Sequence, residues 1–186
     1  MKPAKDMKET LRYRNKVANL KNRPAHTKEA ALLKEIAAGK QWRMDAVLEA
    51  IGQDWSGINS IEVFRQAAMF GRLSTIENMT KNAYPEYTPR QGHVCPWEII
   101  SALNAAIIHG HYKVADYCIA LGAAPTYQMT AAIPPYAFVS AIEAGDAKKI
   151  DYLLKNGTPP DLLLQIEEEK KNQKAAGHIK KHMVTA

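Results

Sequence analysis

Apolar residues recur three and four positions apart along most of the chain, the period of a helix with one buried face. Nowhere do they alternate with polar residues as a half-buried strand requires, so the pattern predicts an all-α fold. The segment Ser101–Ala124 shows this most cleanly: one apolar stretch ends at His109-Gly110-His111, and a second runs from Tyr112 to Leu121 and closes at Gly122-Ala123-Ala124. Upstream, the spacing predicts a helix over 5–22, with Met7, Leu11, Val17 and Leu20 among charges, and one from Lys28 to Gly39 capped by Thr27. Further helices are predicted over 42–51, stopped by Gly52, and over 61–71, capped by Ser60; Ser74 opens a short partner around 76–80. Residues 82–96 and 125–135 are rich in proline and read as loops. Beyond them come helices over 136–145 and over 147–154, the latter capped by Asp146. After Pro159-Pro160 a last helix runs from Asp161 to about Ala176, and the tail from Gly177 is expected to fray.

These helices come in repeating pairs. The glycines that end each first helix, Gly39, Gly71, Gly110 and Gly145, lie 32, 39 and 35 residues apart, near the period of stacked helix–turn–helix units. Seven before the glycine stand Leu32, Phe64, Leu103 and Phe138, and eight after it stand Val47, Met79, Cys118 and Leu153. These large residues are expected to fill the layer between units. Four before the glycine stand Glu35, Ala67, Ala106 and Ala141, where a small residue lets helices approach closely. Glu35 breaks that rule, which marks the first unit as a capping one. Six after the glycine there is always an acid, Asp45, Glu77, Asp116 and Asp151. These acids are expected on the solvent side of the second helices, paired with bases as Asp151 could be with Lys148 or Lys155.

The residues SALNAAIIHGH at Ser101–His111, followed by VADYCIALGAA at Val114–Ala124, resemble an ankyrin repeat, T-P-L-H-L-A-A-x-x-G-H with I-V-E-L-L-L-x-x-G-A-D. Phe138–Asp146 with Ile150–Gly157, and Phe64–Gly71 with Ile76–Met79, are similar to the same pattern. The resemblance covers about residues 28–157 and has departures. Arg65, Asn104 and Val139 replace the family's helix-opening histidine, and long loops replace its short fingers. It implies an ankyrin-like helix–turn–helix repeat solenoid with irregular long loops over 27–157, between a basic N-terminal helix or arm over 1–26 and a C-terminal helix and tail over 158–186. It further implies a non-enzymatic module that binds another protein through its concave face, as adaptor, scaffold or stoichiometric inhibitor. The family's contact positions fall here on Met69 and Phe70, Ile108 and His109, and Glu143 and Ala144. Met69, Phe70 and Ile108 would form an apolar stripe, the mark of an interface unless a neighbouring loop covers it. The 82–96 loop and its border add Tyr84, Tyr87, Arg90 and Trp97, residue types that carry binding hot spots. The bland reading of these tyrosines is that they shield the edge of the core.

Composition changes little and charge changes more. The 186 residues are 46% hydrophobic and 24% charged, ordinary for a globular chain, but the net charge of +6 is unevenly placed. Residues 1–34 hold ten Lys/Arg against three Asp/Glu, whereas residues 35–157 hold ten against twelve. Lys2, Lys5, Lys8, Arg12, Arg14, Lys16, Lys21 and Arg23 therefore carry an alternative expectation, nucleic-acid association through the N-terminal arm, beside the plainer one of a solvated helix.

Motifs for catalysis are missing: there is no phosphate-cradling glycine loop, no H-E-x-x-H and no nucleophile elbow, so no enzyme and no cofactor are expected. His93 and Cys95, or His178 and His182, do not make a zinc quartet, and no metal is expected. No apolar run approaches the roughly 18 residues of a membrane span, and the charged N-terminus does not read as a secretory signal. A cytoplasmic protein with no membrane partner is the expectation. Cys95 and Cys118 do not suggest a disulfide framework, and Cys118 falls in a core slot.

Overall fold

A computed structural model describes residues 4–84, 95–123 and 136–161, and beyond these residues 163, 164, 167, 175, 177, 179–181 and 183; at 4–9, 136 and 138 it describes the backbone alone. The chain is all-α, with no strand among the described residues. Its helices are α1 (Ala4–Lys21), α2 (Ala25–Ala38), α3 (Gln41–Ile51), α4 (Ser60–Met69), α5 (Leu73–Ala83), α6 (Trp97–Ile108), α7 (Tyr112–Ala120), α8 (Tyr136–Ala144) and α9 (Ala147–Lys155). The described positions between Pro160 and Met183 are helical as well.

Most boundaries follow the sequence, and the exceptions have local causes. Thr27 is not the cap of α2. Pro24 holds that position with φ −56°, and its carbonyl accepts from the amides of Thr27 and Lys28 at 3.0 and 3.2 Å, so the helix starts three residues earlier than predicted. Asn59, not Ser60, caps α4: its side chain accepts from the Glu62 amide at 3.2 Å. The Ser60 hydroxyl instead donates to Glu98 Oε1 at 2.7 Å, tying α4 to α6. Asp146 caps α9 as expected, accepting from the Lys149 amide at 3.2 Å. The expected fraying after Ala176 is wrong: Ile179 is fully buried and the surrounding described positions are helical. Burying an isoleucine is worth about 1.5–3 kcal/mol, enough to hold the last turns down. The loops expected over 82–96 and 125–135 lie largely outside the described residues, while α5 itself reaches Ala83.

The helices pair as α2/α3, α4/α5, α6/α7 and α8/α9, and the pairs stack. First helices touch in succession, α2 to α4, α4 to α6 and α6 to α8, and second helices do so from α3 to α5 and α5 to α7. Between them lies one continuous core. Leu32, Phe64 and Leu103 fill it from the first helices, and Val47, Met79, Cys118 and Leu153 fill it from the second. Ala67, Ala106 and Ala141 are fully buried where the helices come closest.

Glu35, the exception among these small residues, is also buried. Lys16 of α1 pairs with it, and Arg43 Nη1 of α3 lies 3.7 Å from its other oxygen. The acid thus holds α1, which packs against α3 at the end of the stack where no preceding pair exists. A buried carboxylate requires such partners, because an unpaired one costs several kcal/mol.

Two of the recurrent acids accept from neutral side chains. Asp45 accepts from Asn78 Nδ2 at 3.3 Å, and Asp116 accepts from the Tyr152 hydroxyl at 2.7 Å. Each donor lies seven residues after the glycine of the next pair. Neighbouring second helices lie side by side, and that places a neutral donor from the next unit within reach.

Candidate functional site

The sequence of α6, WEIISALNAAII, is apolar on more than one side. A helix of this kind is either enclosed or presents one face to something else. Ile99, Ala102, Leu103, Ala106 and Ile107 face the core. The opposite face carries Trp97, Ile100, Ser101, Asn104, Ala105 and Ile108, and together with Ile61 and Arg65 of α4 and with His109 it lines a groove of about 650 Å³. Ser101 and Ala105 are small and lie one turn apart, which makes the depression. Ile100 and Ala105 form a buried floor, while Trp97 and Ile61 stand at the rim with 46% and 47% of their surface exposed.

The polar groups of the groove are held in place. Arg65 donates from Nε and Nη2 to the two carboxylate oxygens of Glu62, at 2.8 and 2.7 Å. Gln66 adds a third donor to that carboxylate at 2.9 Å. The Arg65 hydrogen bond keeps the Glu62 carboxyl below the usual range, and the same bond raises Arg65. Asn104 Nδ2 donates to the Ile100 carbonyl at 3.3 Å. His109 follows α6, and its imidazole pKa is pushed below the usual histidine value, first by loss of solvent and then by the positive charges of His111, Lys149 and Arg65. It is therefore neutral near pH 7, with one nitrogen to donate and one to accept.

Among the described residues, the groove lining holds only two ionisable side chains, Arg65 and His109. It offers apolar area, a fixed guanidinium and amide and imidazole hydrogen bonds, but no nucleophile activated by a base. Among the described residues, no group of three or more His, Cys, Asp or Glu could hold a metal ion. Cys118 is fully buried, with its thiol pushed up to about 12 by burial, and is chemically quiet.

Of the residues expected at a partner surface, the groove gathers Trp97, Ile108 and His109. Met69 and Phe70 do not line it. Met69 is half-buried, and its carbonyl accepts from His111 Nε2 at 3.0 Å. Phe70, 37% exposed, lies in the turn with the Arg72 guanidinium 5.9 Å from its ring centre. The proposed stripe therefore splits: Ile108 lines the groove, and Met69 and Phe70 do not. Glu143 is exposed on α8, outside the groove. Tyr84 belongs to the core edge: its ring lies 6.3 Å from that of Phe64, and burial together with a hydrogen bond to Glu98 raises its hydroxyl pKa. Tyr87 and Arg90 lie outside the described residues. Sequence reasoning missed Ile61, Arg65, Ile100, Ser101, Asn104 and Ala105 as a surface. A signal was present in the four-three-four spacing of Trp97, Ser101, Asn104 and Ile108, one helical face apart from the core face.

Among the basic-arm residues, Arg12, Arg14, Lys21 and Arg23 are exposed, and Lys16 is committed to Glu35. The side chains of Lys5 and Lys8, and all of Lys2, lie outside the described residues. No helix among the described residues is long and apolar enough to cross a membrane. Compared with protein families, curated proteins and solved structures, the chain finds no match.

Proposed function

We propose that this chain is a non-enzymatic protein-binding module, a short ankyrin-like solenoid whose α4–α6 groove takes an apolar segment of a partner protein. The observation that carries the reading is the groove itself: exposed Trp97 and Ile61 flank a buried apolar floor, with Arg65 held in a fixed orientation beside it. Tryptophan and arginine anchor interfaces because they remove much area from water and hydrogen-bond at the edge. Restraint of Arg65 by Glu62 lowers the ordering cost of binding. The ankyrin-like part of the reading rests on the successive contacts of first and second helices, the four turn glycines and the matched residues of 101–124. A role as adaptor, scaffold or inhibitor in the cytoplasm accords with two buried cysteines, Cys95 and Cys118, that form no disulfide among the described residues.

The test is site-specific photo-crosslinking. A photoreactive residue at Ser101, on the groove, is expected to capture a partner in native extract, whereas one at Lys155, on exposed α9, is not. Ile61→Asp with Trp97→Asp, both at the exposed rim, is expected to abolish capture while leaving helicity and melting intact. Capture that persists in this variant, with the same partner peptide, sinks the groove as the binding surface.

A further inference from the structure

A second depression lies at the other end of the molecule, between α1 and α2. It has a volume of about 480 Å³ and is lined by Arg12, Asn15, Lys16, Asn19 and Leu20 of α1 and by Ala31, Lys34 and Glu35 of α2. Among the described residues the only acid in this lining is Glu35, which is already paired with Lys16 and lies 3.7 Å from Arg43. Arg12 and Lys34 are exposed, and neither pairs with an acid among the described residues. Asn15 and Asn19 add amide donors between them. Exposed Arg23 lies in the bend two residues after α1, its Nε donating to the Asn19 carbonyl at 3.3 Å and its remaining guanidinium donors directed to no acid among the described residues. The apolar lining residues, Leu20 and Ala31, are half-buried against the core and offer no protruding anchor.

We infer that the α1–α2 face binds the phosphodiester backbone of a nucleic acid, without reading its bases. Phosphate oxygens are recognised by Arg and Lys together with Asn and Gln donors, which is the donor set of this groove. An acidic protein partner would need aromatic or aliphatic anchors to hold it; the described lining has none, and the exposed Leu11 of α1 stands outside it. The charge distribution favours the same ligand: residues 1–34 hold ten Lys/Arg against three Asp/Glu, while the rest of the repeat body is slightly acidic. The field is therefore directed, with an anion attracted to one end of the molecule. The groove also sharpens which cations act: Arg12, Lys34 and Arg23 are available, and Lys16 is not. The surface is separate from the α4–α6 groove, so protein and nucleic acid could be held at once.

The test is fluorescence anisotropy with the full chain, a labelled duplex of about 20 base pairs and a labelled single strand of the same length. Binding is expected for both and for unrelated sequences alike. With three phosphate contacts, affinity should fall about forty-fold for the duplex and about eighteen-fold for the single strand between about 50 and 200 mM salt. Arg12→Ala with Lys34→Ala is expected to weaken binding at least tenfold and to flatten the salt dependence by about two contacts. The control, Lys113→Ala with Lys155→Ala, removes the same charge from exposed sites on α7 and α9 and should keep most of the affinity. Circular dichroism before and after melting verifies that both variants fold. The proposal is overturned by no binding at the lower salt, by equal losses in the two double variants, which would mean net charge alone, or by polyglutamate displacing the nucleic acid mole for mole, which would mark an acidic-protein surface.

Discussion

The α4–α6 junction and the α6–α8 junction are built from the same sequence motif and are held differently. At the first, His111 follows the turn glycine Gly110 and reaches back, its Nε2 donating to the Met69 carbonyl at 3.0 Å. Its ring fills the space beside Gly71, where an added Cβ would lie 2.6 Å from Nδ1. The preceding junction repeats the device: Arg72 donates to the Ile36 carbonyl at 3.1 Å and lies where a Cβ on Gly39 would stand. At the α6–α8 junction the equivalent residue, Asp146, turns inward to cap its own helix, and a Cβ on Gly110 would meet nothing within 4 Å. A turn glycine therefore does one job at Gly110, a positive φ, and two at Gly71, a positive φ and room for the next unit's side chain. The groove lies on the stitched junction. That is where a rigid pair of helices is needed if Ile61 and Arg65 are to face Trp97 and Ile108 at a constant distance.

Changing the two glycines tests this difference most strongly. Gly71→Ala should cost about 3 kcal/mol, from the left-handed backbone and the displaced His111 hydrogen bond together, and lower the melting temperature by about 6–12 °C. Gly110→Ala should cost only the backbone part, about 1–2 kcal/mol. Equal losses in the two would remove the distinction between the junctions. His111→Ala should cost about 1 kcal/mol by itself, and in its background Gly71→Ala should cost about 1 kcal/mol less than in the native chain. A double-mutant cycle with no coupling would show that the stitch carries no energy.

At the other junction, Asp146→Ala should destabilise by about 1 kcal/mol through loss of the cap, with no effect on Gly71 substitutions. This contribution also depends on pH. Burial alone would raise the Asp146 carboxyl, but hydrogen bonds and charge from Lys149 outweigh it and lower the pKa. The unfolded chain then takes up the proton first on acidification. The stabilisation is complete above the ordinary aspartate range and is lost as pH falls through the lowered value. Asp146→Asn should remove that acid-sensitive part of a stability–pH curve. The smallest expected effect is at His109. Its pKa is lowered, so the unfolded state binds the proton more readily, and stability should decline slightly as pH drops below the usual histidine value. A proton titration by NMR should find its midpoint below that of a free histidine, and Arg65→Gln should move it upward by removing one of the nearby charges.

Much of the core was legible from periodicity alone. Leu32, Phe64, Leu103, Met79 and Cys118 were placed by their distance from a glycine, and all are buried. The same ruler failed to foresee that the groove takes Ile108 and leaves Met69 and Phe70 outside it. It also failed for the recurrent acids at Asp45 and Asp116, whose partners Asn78 and Tyr152 come from the next unit and are 33 and 36 residues away. Glu35 looked like a flaw in the repeat. Its reason lies in Lys16, on a helix that the repeat pattern does not include. The groove was half-legible: Trp97, Ile108 and His109 were singled out, while Ile61 and Arg65 were not, since only packing of α4 beside α6 brings them opposite.

The sequence by itself determined the helices, their pairing around four turn glycines and the residues that face inward. These depend on period, propensity and backbone freedom, which act within a few positions of the chain. The tertiary structure alone decided which surfaces are concave, which charges remain available and which glycines have a neighbour against them. Those are matters of contact between residues 36 to 42 positions apart, and such contacts are set by how successive units stack and not by the local pattern of any one of them.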